Sequence, residues 1–279
     1  MIAGHLGIDD AVRLLRAAGC AFAEREAQGI FAAFTDPHDR SVAVERRCSG
    51  LPLEYVVGVA EFAGITVAIG PPAFIPRRRA EALVDTAVEL TEADVAARPP
   101  RALDLGCGCG AIAAALTSRL PGADVHATDI DGDALLHART NSATFGFTLH
   151  QGDWWSSLPT SLSGGFDLVV AHLPYVPTGE LVSLPRDFRD HEAMAALDGG
   201  ADGLDPWRAV ARGAGRWLEA DGVLLTQVGE RQVGEAVRIA TSQGLVAQSI
   251  WPDDDERVAV ISAVVGSRGP DETGRALRP

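Results

Sequence analysis

Three segments of this chain place glycine or acidic residues directly after runs with the character of buried strands. Each offers chemistry that a bare turn does not need. In LDLGCGCGAI (103–112), glycines stand at 106, 108 and 110, between a strand and the start of a helix. Glycine lets the backbone turn tightly and lets a ligand approach with no Cβ in its way. The helix start adds unpaired N–H groups suited to a negative or polar ligand. In HATDID (126–131), Asp129 lies 19 residues past Gly110. An acid closing the next strand at that distance accepts hydrogen bonds from two ribose hydroxyls; alternatively, Asp129 or Asp131 caps the helix beginning near 131. In QGDWW (151–155), Asp153 can accept from the exocyclic amine of a base, with Trp154 beside the ring. The plainer alternative is a turn aspartate next to a core tryptophan. Gly106, Gly108 and Ala111 also satisfy a relaxed dinucleotide pattern, so a nicotinamide dehydrogenase is one reading of the loop.

A fourth segment, AHLPYVPT (171–178), follows the apolar run FDLVV (166–170). His172 offers one acceptor and one donor when neutral, and only donors when protonated. Near neutral pH it can also serve as a general base. Pro174 fixes the turn, and Tyr175 can form a wall. A histidine satisfied by nearby backbone is the alternative.

These segments need a scaffold that brings them to one edge. Residues 8–48 carry helical spacing, broken at Thr35-Asp36-Pro37. Residues 55–69, YVVGVAEFAGITVAI, are rich in valine and isoleucine and predict a β-hairpin. From about residue 80, helical and strand patterns alternate. Strands are predicted at 102–105, 124–129, 147–153, 166–172, 222–229, 245–251 and 257–264. Helices are predicted at 80–94, 110–120, 131–144, 206–219 and 231–243. That alternation implies an α/β, doubly wound, mostly parallel sheet with helices on both faces. The glycine loop, Asp129, Asp153 and His172 then share the carboxyl edge, where ligands of open α/β folds bind. The expected organisation is an N-terminal helical domain (1–54), a β-hairpin linker (55–75), a catalytic domain (76–265) and a disordered polar tail (266–279).

The chain has 279 residues, 24 basic and 38 acidic, for a net charge of −14. That field disfavours nonspecific binding to nucleic acid or to anionic membranes. No apolar run approaches the length of a membrane span, and the N-terminal acids do not suit a signal peptide. A cytoplasmic protein is expected. Four cysteines, at 20, 48, 107 and 109, are too few and too irregular for a disulfide framework. Cys107 and Cys109 lack a second pair to complete a metal site, so no metal is expected.

Taken together, these segments resemble the HemK/PrmC-type protein-glutamine N5-methyltransferases, over almost the full length. The resemblance rests on LPLEYVVGVAEFAGITVAI (51–69), FIPR (74–77), LDLGCGCG, TDID, GDWW, the Pro-Tyr segment and ALDGGADGLD (196–205). PRRRAEALV and PYVPTGE look like an actinobacterial-type side branch. The resemblance implies a class I, Rossmann-like methyltransferase fold and S-adenosylmethionine as cofactor, with S-adenosylhomocysteine as product. It implies cofactor contacts from Asp104, Gly106, Cys107, Gly108, Gly110, Asp129, Ile130, Asp153, Trp154 and His172. It implies acceptor contacts from Phe74, Pro76, Arg77 and Tyr175, and a catalytic segment His172-Leu173-Pro174-Tyr175. The acceptor would be a protein or peptide, release-factor-like.

Three departures stand out. The family writes Asn-Pro-Pro-Tyr where this chain has His-Leu-Pro-Tyr; there the Asn side chain and the next carbonyl accept from the substrate amide. Here the Leu173 carbonyl remains, but the imidazole has no pair of carbonyl lone pairs. After FIPR the chain reads Arg77-Arg78-Arg79-Ala80, without the family's hydroxyl at position 80. These arginines either recognise an acceptor carboxylate or phosphate, or leave two solvated and one paired with an acid; Arg77 is the one expected near the site. At 227 a glutamine replaces an acid. These departures keep two further readings open: a small-molecule methyltransferase with His172 as base, and an inactive S-adenosylmethionine-binding protein.

Overall fold

The computed structural model describes residues 6–93, 98–251 and 258–265. The expected tail, 266–279, lies outside the described residues. Three helices come first: α1 (Ile8–Ala17), α2 (Ala23–Ala33) and α3 (Pro37–Cys48). Asp36 starts α3, its carboxylate accepting from the His38 and Asp39 amides with Pro37 in the first turn. These helices surround a small apolar core that includes Leu15, Ala27, Ile30 and Val44. Inside the assembly of helices, Arg47 Nε donates to Glu26 at 2.6 Å.

The expected hairpin begins later than its composition suggests. Leu53–Val57 forms a short helix, α4, between Pro52 and Gly58, which is left-handed at φ 79°. Val56 and Val57 favour strands in isolation, but Val56 joins the N-terminal core while Tyr55 joins the core of the sheet. Packing therefore overrides propensity here. The hairpin proper pairs β1 (Val59–Phe62) with β2 (Ile65–Ala68).

The large domain contains α5 (Glu81–Ala93), β3 (Arg101–Leu105), α6 (Ala111–Arg119), β4 (Asp124–Asp129), α7 (Ala134–Phe145), β5 (Thr148–Gln151) and β6 (Phe166–Ala171). It continues with α8 (Arg186–Arg189), α9 (Asp205–Trp217), β7 (Leu218–Gly229), α10 (Val233–Ser242), β8 (Leu245–Ile250) and β9 (Val258–Val265). The sheet order is β5-β4-β3-β6-β7-β9-β8. Strands β3 to β7 pair in parallel, whereas β9 runs antiparallel to both β7 and β8. The inserted antiparallel strand separates this sheet from the all-parallel dinucleotide-binding order.

Alternate strand residues enter opposite cores, as a pleated sheet covered on both faces requires. Ala102, Val125, Leu168 and Val170 pack on one face beneath α5, α6 and the hairpin. Leu103, Leu105, Val169 and Ala171 pack on the other with Trp207, Trp217 and Ile239. Burying each large side chain contributes about 1.5–3 kcal/mol, and this two-sided burial fixes the register that sets the carboxyl edge. Among the described residues, no helix is long and apolar enough to cross a membrane.

Candidate active site

One cavity of about 300 Å³ opens at the carboxyl edge of β3, β4, β5 and β6, and the motif segments line it together. On the β3 side, the loop turns through Gly106 (φ 82°), Gly108 (φ 55°) and Gly110 (φ 80°). Its Gly106 and Cys107 amides both donate to the Thr128 carbonyl at 2.9 Å. A Cβ on Gly106 would stand 3.2 Å from the Trp154 ring, and one on Gly110 would stand 2.7 Å from Phe147. Trp154 itself has φ 43°. A bulky residue in that conformation is strained, and here the strained turn carries its ring over the glycine loop. Asn141 ties this loop to the hairpin: its amide nitrogen donates to the Cys109 and Ala68 carbonyls, and its oxygen accepts from the Ala68 amide.

Of the two acids at the end of β4, Asp131 takes the capping role. Asp131 caps the approach to α7, accepting from the Asp133 and Ala134 amides. Asp129 accepts from the Gly108 amide at 2.7 Å and the Asp131 amide at 2.8 Å, one on each oxygen. Each oxygen keeps a lone pair for a further donor. Burial raises the Asp129 pKa, while these amides oppose the shift. Ile130, 65% exposed, and Asp153 line the cavity beside it.

Asp104 is buried at the end of β3. One oxygen accepts from the Ala113 amide at 3.0 Å; the other, Oδ1, has no partner. Burial pushes its pKa up to about 7. Cys107 and Cys109 line the cavity as buried free thiols, and burial raises the pKa of both. No cluster of three metal-ligating side chains occurs among the described residues.

On the other side of the cavity stands the His-Leu-Pro-Tyr segment. His172 lies directly beyond β6 and packs against Phe74 (ring centroids 5.5 Å apart) and Tyr175 (6.1 Å). Burial, with Arg77 and Arg79 nearby, lowers its pKa to about 4. The ring is therefore neutral near pH 7 and a weak base. Burial thus weighs against the alternative in which His172 titrates as a base near neutrality. No described residue donates to the Leu173 carbonyl.

Arg77 turned out to be the paired arginine, through a residue that the sequence did not single out. Glu192, with a fully buried side chain, receives Arg77 Nη2 and the Ile75 amide. The Arg77 guanidinium lies between the Phe74 and Phe188 rings, 4.6 and 3.7 Å from their centroids. Pro76 lines the same wall. Arg79, beyond the expectation, also lines the cavity, and no acid pairs with it among the described residues. The sequence held no local signal for Glu192, which sits in a stretch of brief turns with no periodicity.

The ALDGGADGLD stretch braces the chain just after the His-Leu-Pro-Tyr segment through backbone hydrogen bonds. The Gly199 amide donates to the Val176 carbonyl, the Val176 amide to Leu197, and the Thr178 amide to Gly200. A Cβ on Gly203 would fall 2.2 Å from both the Tyr175 carbonyl oxygen and Gln232 Nε2. Gln232 Nε2 in turn donates to the Tyr175 carbonyl at 2.8 Å.

A glycine loop, two strand-end acids and a Pro-Tyr segment on this sheet order define a doubly wound, S-adenosylmethionine-dependent methyltransferase. A family model described as "Methyltransferase domain" matches residues 102–191. A solved methyltransferase from Pyrococcus furiosus is similar in fold, with a TM-score of 0.51 and 16% identity, over 72% of this chain and 89% of that one. Similarity in sequence goes further. The release factor glutamine methyltransferase of Gloeobacter violaceus is 40% identical over 182 residues, 64% of this chain and 62% of that protein. That of Bradyrhizobium diazoefficiens is 35% identical over 202 residues, 72% of this chain and 68% of the relative. The chain belongs to the release factor glutamine methyltransferase family.

Proposed function

We propose that this chain methylates the side-chain amide nitrogen of a glutamine in a protein acceptor of the release-factor kind. The relatives named above carry that activity in their names. Three features of the cavity support S-adenosylmethionine as the cofactor. The orphaned Asp104 Oδ1 can accept from an ammonium group, which would also draw the Asp104 pKa down again. The two free lone pairs of Asp129 suit a ribose diol, and Ile130, Asp153 and Trp154 form a slot for an amino-purine. When bound, the cofactor supplies an electrophilic methyl group on a sulfonium.

The other residues hold the acceptor. An amide nitrogen is a poor nucleophile, so orientation supplies much of the rate. The unengaged Leu173 carbonyl and the neutral His172 ring sit side by side as hydrogen-bond acceptors for the two amide hydrogens. The Phe74–Arg77–Phe188 stack and Tyr175 wall the channel through which a side chain reaches them. The observation that carries this reading is the Leu173 carbonyl, which no described residue engages, next to His172 on the cavity wall. Burial also lowers the basicity of the His172 ring, which favours orienting an amide over removing a proton. Four free cysteines fit a reducing, cytoplasmic setting.

The test is transfer of labelled methyl from S-adenosylmethionine to an intact release factor, beside the same factor with its acceptor glutamine changed to glutamate. Label on the first alone is expected. Equal label on both contradicts an amide acceptor.

A further inference from the structure

We propose that Gln227 is a positioning residue for His172: its side-chain oxygen holds the imidazole proton on Nε2, so that Nδ1 offers a lone pair to the acceptor's N–H. This rests on the amide-acceptor reading above, and it adds the residue that decides which hydrogen-bonding face His172 shows.

The register places the two residues together. Ala171 of β6 pairs with Thr226 of β7, and the Thr226 hydroxyl donates to the Ala171 carbonyl at 2.8 Å. His172 and Gln227 each come one residue later, so both turn to the opposite face of the sheet. Gln227 is 0% exposed. Its amide nitrogen donates to the Arg79 carbonyl oxygen at 2.8 Å. A backbone carbonyl can only accept, so the amide cannot be flipped, and Oε1 must face the other way.

Where these two side chains meet, Oε1 of Gln227 and Nε2 of His172 are both buried without partners. The two side chains adjoin, and Gln227 opposes the lowering of the His172 pKa, the effect of an oxygen beside an N–H. No hydrogen bond joins them in this structure. Each still needs the other, because a buried polar group left unpaired is costly. A neutral imidazole has one N–H and one lone pair. A lone pair on Nε2 would face the lone pairs of Oε1 and be repelled; a proton there satisfies both atoms.

The consequence reaches the acceptor. Nδ1 stands outside the buried unpartnered pair, in a ring that lines the cavity. Without a proton it can accept from an amide N–H. It cannot donate to a carboxylate or a carbonyl. Gln227 would thus favour an amide over the matching acid, through a ring that it orients and never through contact with substrate.

The ring can be read directly by ¹⁵N NMR of the full chain labelled at histidine, with His172→Asn used to assign the signal by difference. At pH 7 the expected pattern is a protonated Nε2 and a bare Nδ1. Gln227→Leu should shift His172 to a mixture of tautomers. It should lower turnover on a glutamine-bearing release factor about tenfold, the loss of roughly one hydrogen bond, and leave S-adenosylmethionine affinity unchanged. Gln227→Glu, which keeps an acceptor oxygen, should retain the proton on Nε2. A proton on Nδ1 in the wild type overturns the proposal with no variant needed. So does a Gln227→Leu protein whose tautomer is unchanged. A protonated Nε2 with no methyl gained on any glutamine supports the positioning role and removes the amide reading instead.

Discussion

Arg77 Nη2 donates to both carboxylate oxygens of Glu192, at 2.6 Å each, across 115 residues of chain. The pair joins the FIPR segment to the loop before ALDGGADGLD, and holds the guanidinium between Phe74 and Phe188. Phe74 in turn packs on His172. One ion pair therefore supports the aromatic wall of the cavity beside His172.

Glu192→Ala should cost about 3–5 kcal/mol of stability, because it strands a largely buried guanidinium. In the fraction that folds, KM for the protein acceptor should rise while S-adenosylmethionine affinity holds. Denaturant unfolding and calorimetric titration check the two halves. Arg77→Lys should keep the charge opposite Glu192 but lose the stack between the rings, and retain only part of the acceptor affinity.

Asp104 makes stability depend on pH in a definite direction. Its folded pKa, about 7, lies above the ordinary carboxylate value of 3.8. Its contribution is fully present below about pH 4 and is lost as pH rises through 7. The whole effect is on the order of a few kcal/mol. Cofactor-free protein should lose this increment between pH 4 and 8, and Asp104→Asn should flatten that slope. S-adenosylmethionine should bind more tightly as pH rises through 7, since the ionised carboxylate attracts its ammonium. Thermal melts and titrations across that range measure both.

His172 gives the opposite sign. Its folded pKa of about 4 lies below 6.5, so its contribution is present above 6.5 and lost as pH falls towards 4. With cofactor and acceptor saturating, turnover should be level between pH 6 and 8 as far as this ring is concerned. A rate limb near 6.5 that vanishes in His172→Asn would show a proton-removing base instead. His172→Asn should keep glutamine methylation within about tenfold of wild type, because a carbonyl acceptor of similar reach replaces Nδ1.

Gly203→Ala tests the brace behind the acceptor segment. The added Cβ meets the Tyr175 carbonyl oxygen and Gln232 Nε2, and φ is 77°. Stability should fall by about 1–3 kcal/mol, and acceptor methylation should fall more than cofactor binding. Gly179→Ala, where an added Cβ meets nothing within 4 Å, is the control.

The strands and most helices of the large domain were legible because two-sided burial favours apolar runs, and several of them end at a glycine or an acid. That the glycine loop, Asp129 and Asp153 meet at one edge of the sheet was legible too, because each closes a strand of the parallel run. Division of labour between Asp129 and Asp131 was not, since either spacing suits a cap; backbone geometry assigned the cap to Asp131. The helix Leu53–Val57 was hidden because its valines favour strands and only tertiary packing decides otherwise. Glu192 and the buried contact of Gln227 were hidden because both depend on partners more than a hundred residues away. The acidity of His172 was hidden because it comes from burial and two arginines, which no local motif records.

The most direct measurement is tandem mass spectrometry of a release factor after incubation with this protein and S-adenosylmethionine, locating the added methyl to a single atom. The prediction is one methyl on the side-chain nitrogen of one glutamine, absent when Asp129→Ala removes the diol acceptor. A methyl found only on a hydroxyl or carboxyl oxygen would contradict the account, in which His172 and the Leu173 carbonyl are proposed to accept from an amide.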